Sequence, residues 1–317
     1  VSADHNRRRF LQAGLALAAA AALPVVPLAS KTDAPRPGVC IALGSGGARG
    51  LAHVPILGVL DELGIRPRRI AGASIGAVVG VLYASGLSAK DIRGIIDSLT
   101  ISEDENWFSA VFAEDLARWA AFIEPTTRRG GLIEADAIID FLREKTGCER
   151  FEDLQIPLQV VATDFWTREQ VVFASGELWP ALRASMALPG LFTPVKHAGR
   201  VLVDGGLVNP VPYDVFPDAR ASGCEITLAV DVLGTRTPDE SLVPSYFDTS
   251  FNTFQIMQAN IVEAKLACHR PDIFLRPDIR NVRVLEFYRF QEIFRQAEPA
   301  TDRLRCELLA RLDGELP

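Results

Sequence analysis

The sequence predicts an α/β protein built on a mainly parallel sheet. Short apolar strands alternate with helical stretches along most of the chain. Two of the strand-to-helix joints are rich in glycine, at Gly44–Gly50 and Gly72–Gly76. Its 317 residues, 48% apolar and 23% charged, supply ample material for a layered core. The same composition excludes disordered, collagen-like and coiled-coil classes.

Taken in order, Val39–Leu43 reads as the first strand, followed by the glycine loop and a helix from Leu51 to Leu63. Leu51, Val54, Leu57 and Leu60 recur there at helical spacing. Pro55 falls in the first turn, where its missing N–H costs little, and Gly64 ends the helix. Arg69–Ala71 is a short strand leading into Gly72–Gly76, and Ala77–Ser85 reads as a second buried helix. Further strands are expected at Leu158–Thr163, Gln170–Ala174, Arg200–Val203 and Glu225–Val232. From 240 to 317 the pattern turns helical, with Phe251–His269 and Glu286–Leu312 as the longest helices and Asp272–Pro277 as a strand between them. Residues 101–127 interleave Trp107, Phe108, Phe112, Trp119 and Phe122 with acidic side chains. That insertion reads either as a lid or lipid-contacting surface, or as a helical pair packed on the core.

Residues 1–30 read as an address. Arg7, Arg8, Arg9, Phe10 and Leu11 precede an Ala-rich apolar run, the pattern of a twin-arginine-type signal peptide. Pro24 and Pro27 leave the run short for a span of ~20 residues. Export to a bacterial periplasm is expected, with an uncleaved leader acting as a membrane tether as the alternative. Residues 31–317 read as a single domain. Removing the leader takes away three Arg and one Asp and moves the net charge from −7 to −9. So acidic a chain is a poor candidate for a wide nucleic-acid footprint. Cys40, Cys148, Cys224, Cys268 and Cys306 lie far apart with no CxxC, so neither a disulfide framework nor a zinc site is expected. They read as small hydrophobes. Oligomeric state is not legible.

Three motifs carry chemistry. Gly72, Ser74 and Gly76 form a GxSxG between strand and helix, a sharp turn that lifts a serine hydroxyl above the sheet. Gly44–Gly50 is a second strand-to-helix loop, whose backbone N–H groups suit a phosphate or the oxyanion of acyl transfer. A dinucleotide fingerprint fails there, because Arg49 stands where the third glycine belongs, and no Gly-Lys-Ser/Thr follows for a nucleotide loop. Asp204, Gly205 and Gly206 follow a strand and place a carboxylate beside an unobstructed turn. Ser74 needs a proton acceptor, and the chain has four histidines, His5, His53, His197 and His269. Three readings stay open: Asp204 acting directly on Ser74, a Ser-His-Asp esterase using His269, or a silent module binding a lipid head group.

In this order the pieces resemble the patatin-like phospholipases, in particular the bacterial branch similar to the catalytic domain of neuropathy target esterase. The resemblance runs from Gly38 to about Pro212 and includes His53, Val161–Asp164, Arg183–Pro189, Phe192, Pro194 and Asp204–Pro210. It implies a three-layer α/β/α fold with a mainly parallel central sheet and a helical C-terminal region. It also implies hydrolysis of lipid acyl esters by a Ser–Asp dyad without metal, cofactor or catalytic histidine. Carried over by position, Ser74 is the nucleophile and Asp204 its base. Gly46 and Gly47, with Ala48 as a third candidate, supply oxyanion N–H groups. Gly44, Arg49, Gly50, Gly72, Gly76, Gly205 and Gly206 support those loops. The implied partner is a lipid or acyl-ester substrate, with peripheral membrane contact. Ser45 departs from a glycine found in some members, and Pro55 lies inside the first helix.

Overall fold

The computed structural model describes residues 37–100, 135–216, 223–237 and 246–312. The leader and the aromatic insertion at 101–127 lie outside the described residues. Within them, one sheet contains β1 (Val39–Leu43), β2 (Arg69–Ala73), β3 (Leu158–Asp164), β4 (Gln170–Phe173), β5 (Val195–His197), β6 (Arg200–Asp204), β7 (Ile226–Val230) and β8 (Ile273–Leu275). The strand order is β5-β6-β3-β2-β1-β7-β8, with β4 also paired to β3. Pairs β3–β2, β2–β1, β1–β7 and β7–β8 are parallel, whereas β6 runs antiparallel to both β3 and β5, and β4 antiparallel to β3. The sheet is mainly parallel, as the strand–helix alternation predicts.

The helices are α1 (His53–Glu62), α2 (Ile75–Ala84), α3 (Ala89–Thr100), α4 (Asp136–Thr146), α5 (Leu178–Ser185), α6 (Tyr246–Cys268) and α7 (Phe290–Leu312). Strand alternation sorts them into layers. Val39, Ile41 and Leu43 of β1 point into a core shared with α1, α2, α4 and α7. Cys40 and Ala42 point the other way, against Val211, Tyr213 and the α6 residues Val262 and Leu266. Every residue of β1 is therefore buried, which is why a central parallel strand reads as a continuous apolar run. The first helix begins later than its leucine spacing predicts. Gly47–Ala52 forms a 3₁₀ turn before α1 because the glycine loop stays tightly wound over the sheet.

The cysteine reading needs correction. Cys40 and Cys224 form a disulfide, with Cα atoms 5.4 Å apart across 184 positions. Val39 pairs with Ile226, so the neighbouring strands bring two distant cysteines together. Of the other three, Cys148 is buried, while Cys268 and Cys306 are exposed.

One feature of the register positions the site. Along β3, Val160–Thr163 pair with β4 on one edge. A strand has only two edges, so the other is shared end to end. Ala73 of β2 pairs with Val161, and Asp204 of β6 pairs with Ala162. Two strands running in opposite directions thus finish at adjacent rungs of a third.

Candidate active site

The residue after β2 is Ser74, and the last residue of β6 is Asp204. Their meeting follows from that shared edge: Ser74 Oγ donates a hydrogen bond of 2.6 Å to Asp204 Oδ2. Ser74 has φ 55° and ψ −125°, a left-handed corner from which α2 departs. Such a conformation is costly for a residue with a Cβ and persists only where its surroundings hold it. Two of those surroundings are evident. A Cβ at Gly76 would run into the Leu43 carbonyl, so the turn packs directly on the end of β1. Ser185 Oγ, fully buried, accepts the Ser74 N–H at 2.9 Å and donates to the Val161 carbonyl at 2.6 Å.

Asp204 is pinned on all sides. Its second oxygen, Oδ1, accepts the Gly206 N–H at 2.7 Å, its N–H donates to the Ala187 carbonyl at 3.0 Å, and its own carbonyl accepts from Thr163 Oγ1 at 2.7 Å. A Cβ on Gly205 would collide with the Val161 carbonyl, which explains a glycine immediately after the aspartate. Asp204 is 2% exposed. Burial pushes its carboxyl up to about 6, although the hydrogen bonds from Ser74 and Gly206 pull the other way. A carboxylate so placed is a stronger base than one in water.

The glycine loop lies beside the pair. Gly46 and Gly47 line the cavity that holds Ser74 and Asp204. Gly44 and Ser45 donate their N–H groups to the carbonyls of Val230 and Pro210. Ala48 donates its N–H to the Val284 carbonyl at 2.8 Å, which removes it from the three oxyanion candidates. Gly46 and Gly47 retain N–H groups without a backbone partner among the described residues, as expected where a helix-like turn begins.

Arg49 is fully buried behind this loop. Its Nε donates to the Gly46 carbonyl at 3.3 Å and its Nη1 to Gln255 Oε1 at 3.4 Å. Burial lowers its pKa to about 10, opposed by nearby Asp231, so it stays charged. Gly50 and Gly72 provide close approaches: a Cβ at the first meets Ile75, and one at the second meets Ala77 at 2.6 Å. His53 Nε2 donates to the Gly44 carbonyl (2.8 Å), and desolvation lowers its pKa to about 4. It is neutral, and it braces the loop. His269 is exposed at the end of α6, where its backbone carbonyl accepts the Tyr213 hydroxyl. Among the described residues, no histidine lines the cavity.

The rest of the cavity was not foreseen. Phe251, Phe254, Gln255 and Gln258 of α6 line it at helical spacing, with Val284, Leu285 and Phe287 from the segment before α7. Met186, Leu188, Leu191 and Phe192 close another side. Ser45 Oγ is buried there without a hydrogen-bond partner. A Cβ on Gly206 would lie 2.6 Å from both Ser45 Oγ and Gln258 Nε2, so these polar groups flank the aspartate turn. Asn209 anchors that turn to α6 by accepting from Lys265 Nζ and donating to Asp214 Oδ1 and Gln170 Oε1. Two Phe followed by two Gln at helical spacing, Phe251, Phe254, Gln255 and Gln258, were the available signal.

Comparison with known proteins places this geometry in context. Residues 41–217 match the patatin-like phospholipase family, and residues 4–24 match the signal sequence of the twin-arginine translocation pathway. An uncharacterized NTE family protein of Mycobacterium tuberculosis is 35% identical over 199 residues, covering 63% of this chain and 50% of that one. Patatin-like phospholipase domain-containing protein 7 of Rattus norvegicus is 31% identical over 287 residues, covering 80% of this chain and 20% of that one. Lysophospholipase NTE1 of Candida glabrata is 30% identical over 279 residues, covering 80% and 15%. The chain thus spans half the length, or less, of these curated relatives. Among solved structures, VipD of Legionella pneumophila aligns with a TM-score of 0.45 at 16% identity, covering 84% of this chain and 67% of that one.

Proposed function

The chain belongs to the patatin-like phospholipase family, and from that premise we propose that it hydrolyses acyl esters of lipids, with Ser74 as nucleophile and Asp204 as its base. The observation that carries the reading is the 2.6 Å hydrogen bond from Ser74 Oγ to a buried carboxylate. Attack by Ser74 Oγ on the ester carbonyl forms the new C–O bond while the hydroxyl proton moves to Asp204 Oδ2. The carbonyl oxygen becomes an oxyanion facing the N–H groups of Gly46 and Gly47. Collapse breaks the bond to the alcohol, which leaves with the proton from Asp204. Water then attacks the acyl-Ser74 ester and gives a proton to Asp204. A second collapse releases the carboxylic acid and returns the proton to Ser74.

The leader is a twin-arginine translocation signal sequence, which supports export across the cytoplasmic membrane. We place the mature enzyme, residues 31–317 as one domain, in the periplasm. A disulfide between Cys40 and Cys224 suits that oxidising compartment.

The test is covalent labelling with a fluorophosphonate, together with turnover of a chromogenic acyl ester. Labelling is expected at Ser74, and both Ser74→Ala and Asp204→Asn should abolish turnover with an unchanged circular dichroism spectrum. Near-wild-type turnover by Asp204→Asn would overturn the dyad. Loss of turnover in His269→Ala on the scale of Asp204→Asn would favour the histidine triad, and absence of labelling would favour a binding module.

A further inference from the structure

We propose that the hairpin joining β3 to β4, with Phe165 and Trp166 at its tip and three cations around it, docks this protein onto the anionic surface of a lipid bilayer. The choice of a bilayer as partner rests on the lipid-ester reading above.

Trp166 is 74% exposed and Phe165 is 48% exposed, and their rings pack edge to face with centroids 4.9 Å apart. A single exposed apolar residue calls for no explanation, but two adjacent large aromatics at the end of a tight turn do. The turn is built to hold them. Asp164, 3% exposed, accepts the N–H groups of Trp166 (3.0 Å) and Thr167 (3.2 Å) on its Oδ1. Its backbone carbonyl accepts the Arg168 N–H, its own N–H donates to the Glu169 carbonyl, and Arg168 closes the hairpin at φ 65°. The backbone beneath the rings is therefore held in one turn, which lowers the ordering cost of inserting them elsewhere.

The surrounding charge suits anionic head groups. Phe165 donates its N–H to the Val201 carbonyl, and Val201 pairs with Lys196, so one rung runs from the aromatic tip to an exposed cation. Arg200 lies next along β6, 50% exposed, with Nε 3.8 Å from Asp164 Oδ2. Arg168 is exposed on the turn itself. Glu169 is the exposed acidic neighbour. Aromatic rings settle at the boundary between head groups and acyl chains, while Lys and Arg pair with the phosphates outside it. Because residues 31–317 carry −9, from −7 less three Arg and one Asp in the leader, anionic lipid repels most of their surface, and a local basic patch orients the molecule.

Position ties this surface to the active site. Asp204 stands opposite Ala162, and Trp166 lies four residues further along the same chain direction. β3 ends at Asp164, two residues past that rung, which at ~3.3 Å per residue is about 7 Å of strand, and the turn carrying Phe165 and Trp166 follows at the same end of the sheet. An enzyme seated on these rings holds Ser74 within a lipid's length of the membrane.

The test uses the full chain carrying Ser74→Ala, so that vesicles stay intact. Flotation is measured with phosphatidylcholine vesicles and with vesicles that are about one-third phosphatidylglycerol. Trp166→Ala is expected to weaken partitioning into both by about tenfold, and Trp166→Phe to recover most of it. Lys196→Glu together with Arg168→Glu is expected to weaken binding only to the anionic vesicles. Thermal unfolding by circular dichroism verifies that each variant is folded. Wild-type flotation by folded Trp166→Ala overturns the proposal. So does a dimer in wild-type sedimentation that Trp166→Ala abolishes, since the tip then joins copies of the chain. The binding arm contains no active nucleophile, so failure of the Ser–Asp chemistry would leave its result standing.

Discussion

Ser185 Oγ joins the N–H of Ser74 to the carbonyl of Val161, with hydrogen bonds of 2.9 and 2.6 Å. One hydroxyl, carried on the last residue of α5, thereby fastens the strained corner of β2 to the strand that also pairs with Asp204. The catalytic geometry of the proposed dyad depends on this third side chain as much as on its own two.

Replacing Ser185 with Ala leaves the Ser74 N–H and a carbonyl lone pair without their partner in a dry environment, a loss of about 1–3 kcal/mol. Stability in urea should fall by that amount. Because the strained φ of Ser74 loses a restraint, turnover should fall about tenfold while KM changes little. A rise in KM with turnover unchanged would show that Ser185 acts on the cavity wall and not on the nucleophile.

The pH dependence follows from Asp204. A base must be ionised to accept the Ser74 proton, so kcat/KM should rise with pH through about 6 and level off above it. Stability runs the opposite way. In the fold the carboxyl titrates at about 6, against 3.8 for the ordinary group, so the folded state holds a proton that the unfolded chain has released. Stability from this group is present below the lower value and lost as pH rises through the upper one. Asp204→Asn removes the buried charge and should stabilise the protein by up to about 3 kcal/mol near pH 8, with little gain near pH 4. Thermal melts of the two proteins at both pH values decide it. Equal melting temperatures at the higher pH would mean that the carboxylate is better solvated than its burial implies.

The local pieces were legible in the sequence, and the distances between them were not. Apolar runs bounded by glycine announce β1 and β2, and strand-to-helix glycines announce both loops, because turn chemistry is written in adjacent residues. That Ser74 and Asp204 meet depends on β2 and β6 sharing one edge of β3, and register between strands 130 positions apart leaves no local mark. The disulfide escaped for the same reason: Cys40 and Cys224 become neighbours only once β1 is known to lie beside β7. Ala48 stood as a third candidate after Gly46 and Gly47, and nothing near it in the sequence marks that Val284, from far along the chain, accepts its N–H.

The Cys40–Cys224 bridge closes a long loop, so its removal enlarges the unfolded ensemble and should cost about 2–5 kcal/mol. Cys40→Ser with Cys224→Ser is expected to lower the urea midpoint by that equivalent while keeping the far-ultraviolet spectrum. Thiol titration of the unfolded wild type should count three free thiols, those of Cys148, Cys268 and Cys306. Five would show that the exported protein is reduced.

The acyl preference should be set by α6, which lies beyond residues 41–217. Phe251, Phe254, Gln255 and Gln258 share one face of that helix, the aromatic turn followed by the amide turn. Gln258 lies near Gly206, beside the aspartate, which leaves Phe251 and Phe254 further along the wall. A fatty chain extending from Ser74 would therefore run toward the aromatic turn. Phe254→Trp adds volume there without a new charge, and a bulky group in a pocket discriminates by about 1–3 kcal/mol. Relative to a butyryl ester, hydrolysis of a long-chain ester by this variant should fall about tenfold in kcat/KM, with Phe254→Ala moving the ratio the other way. An unchanged ratio in both would mean that the chain leaves the site by another wall.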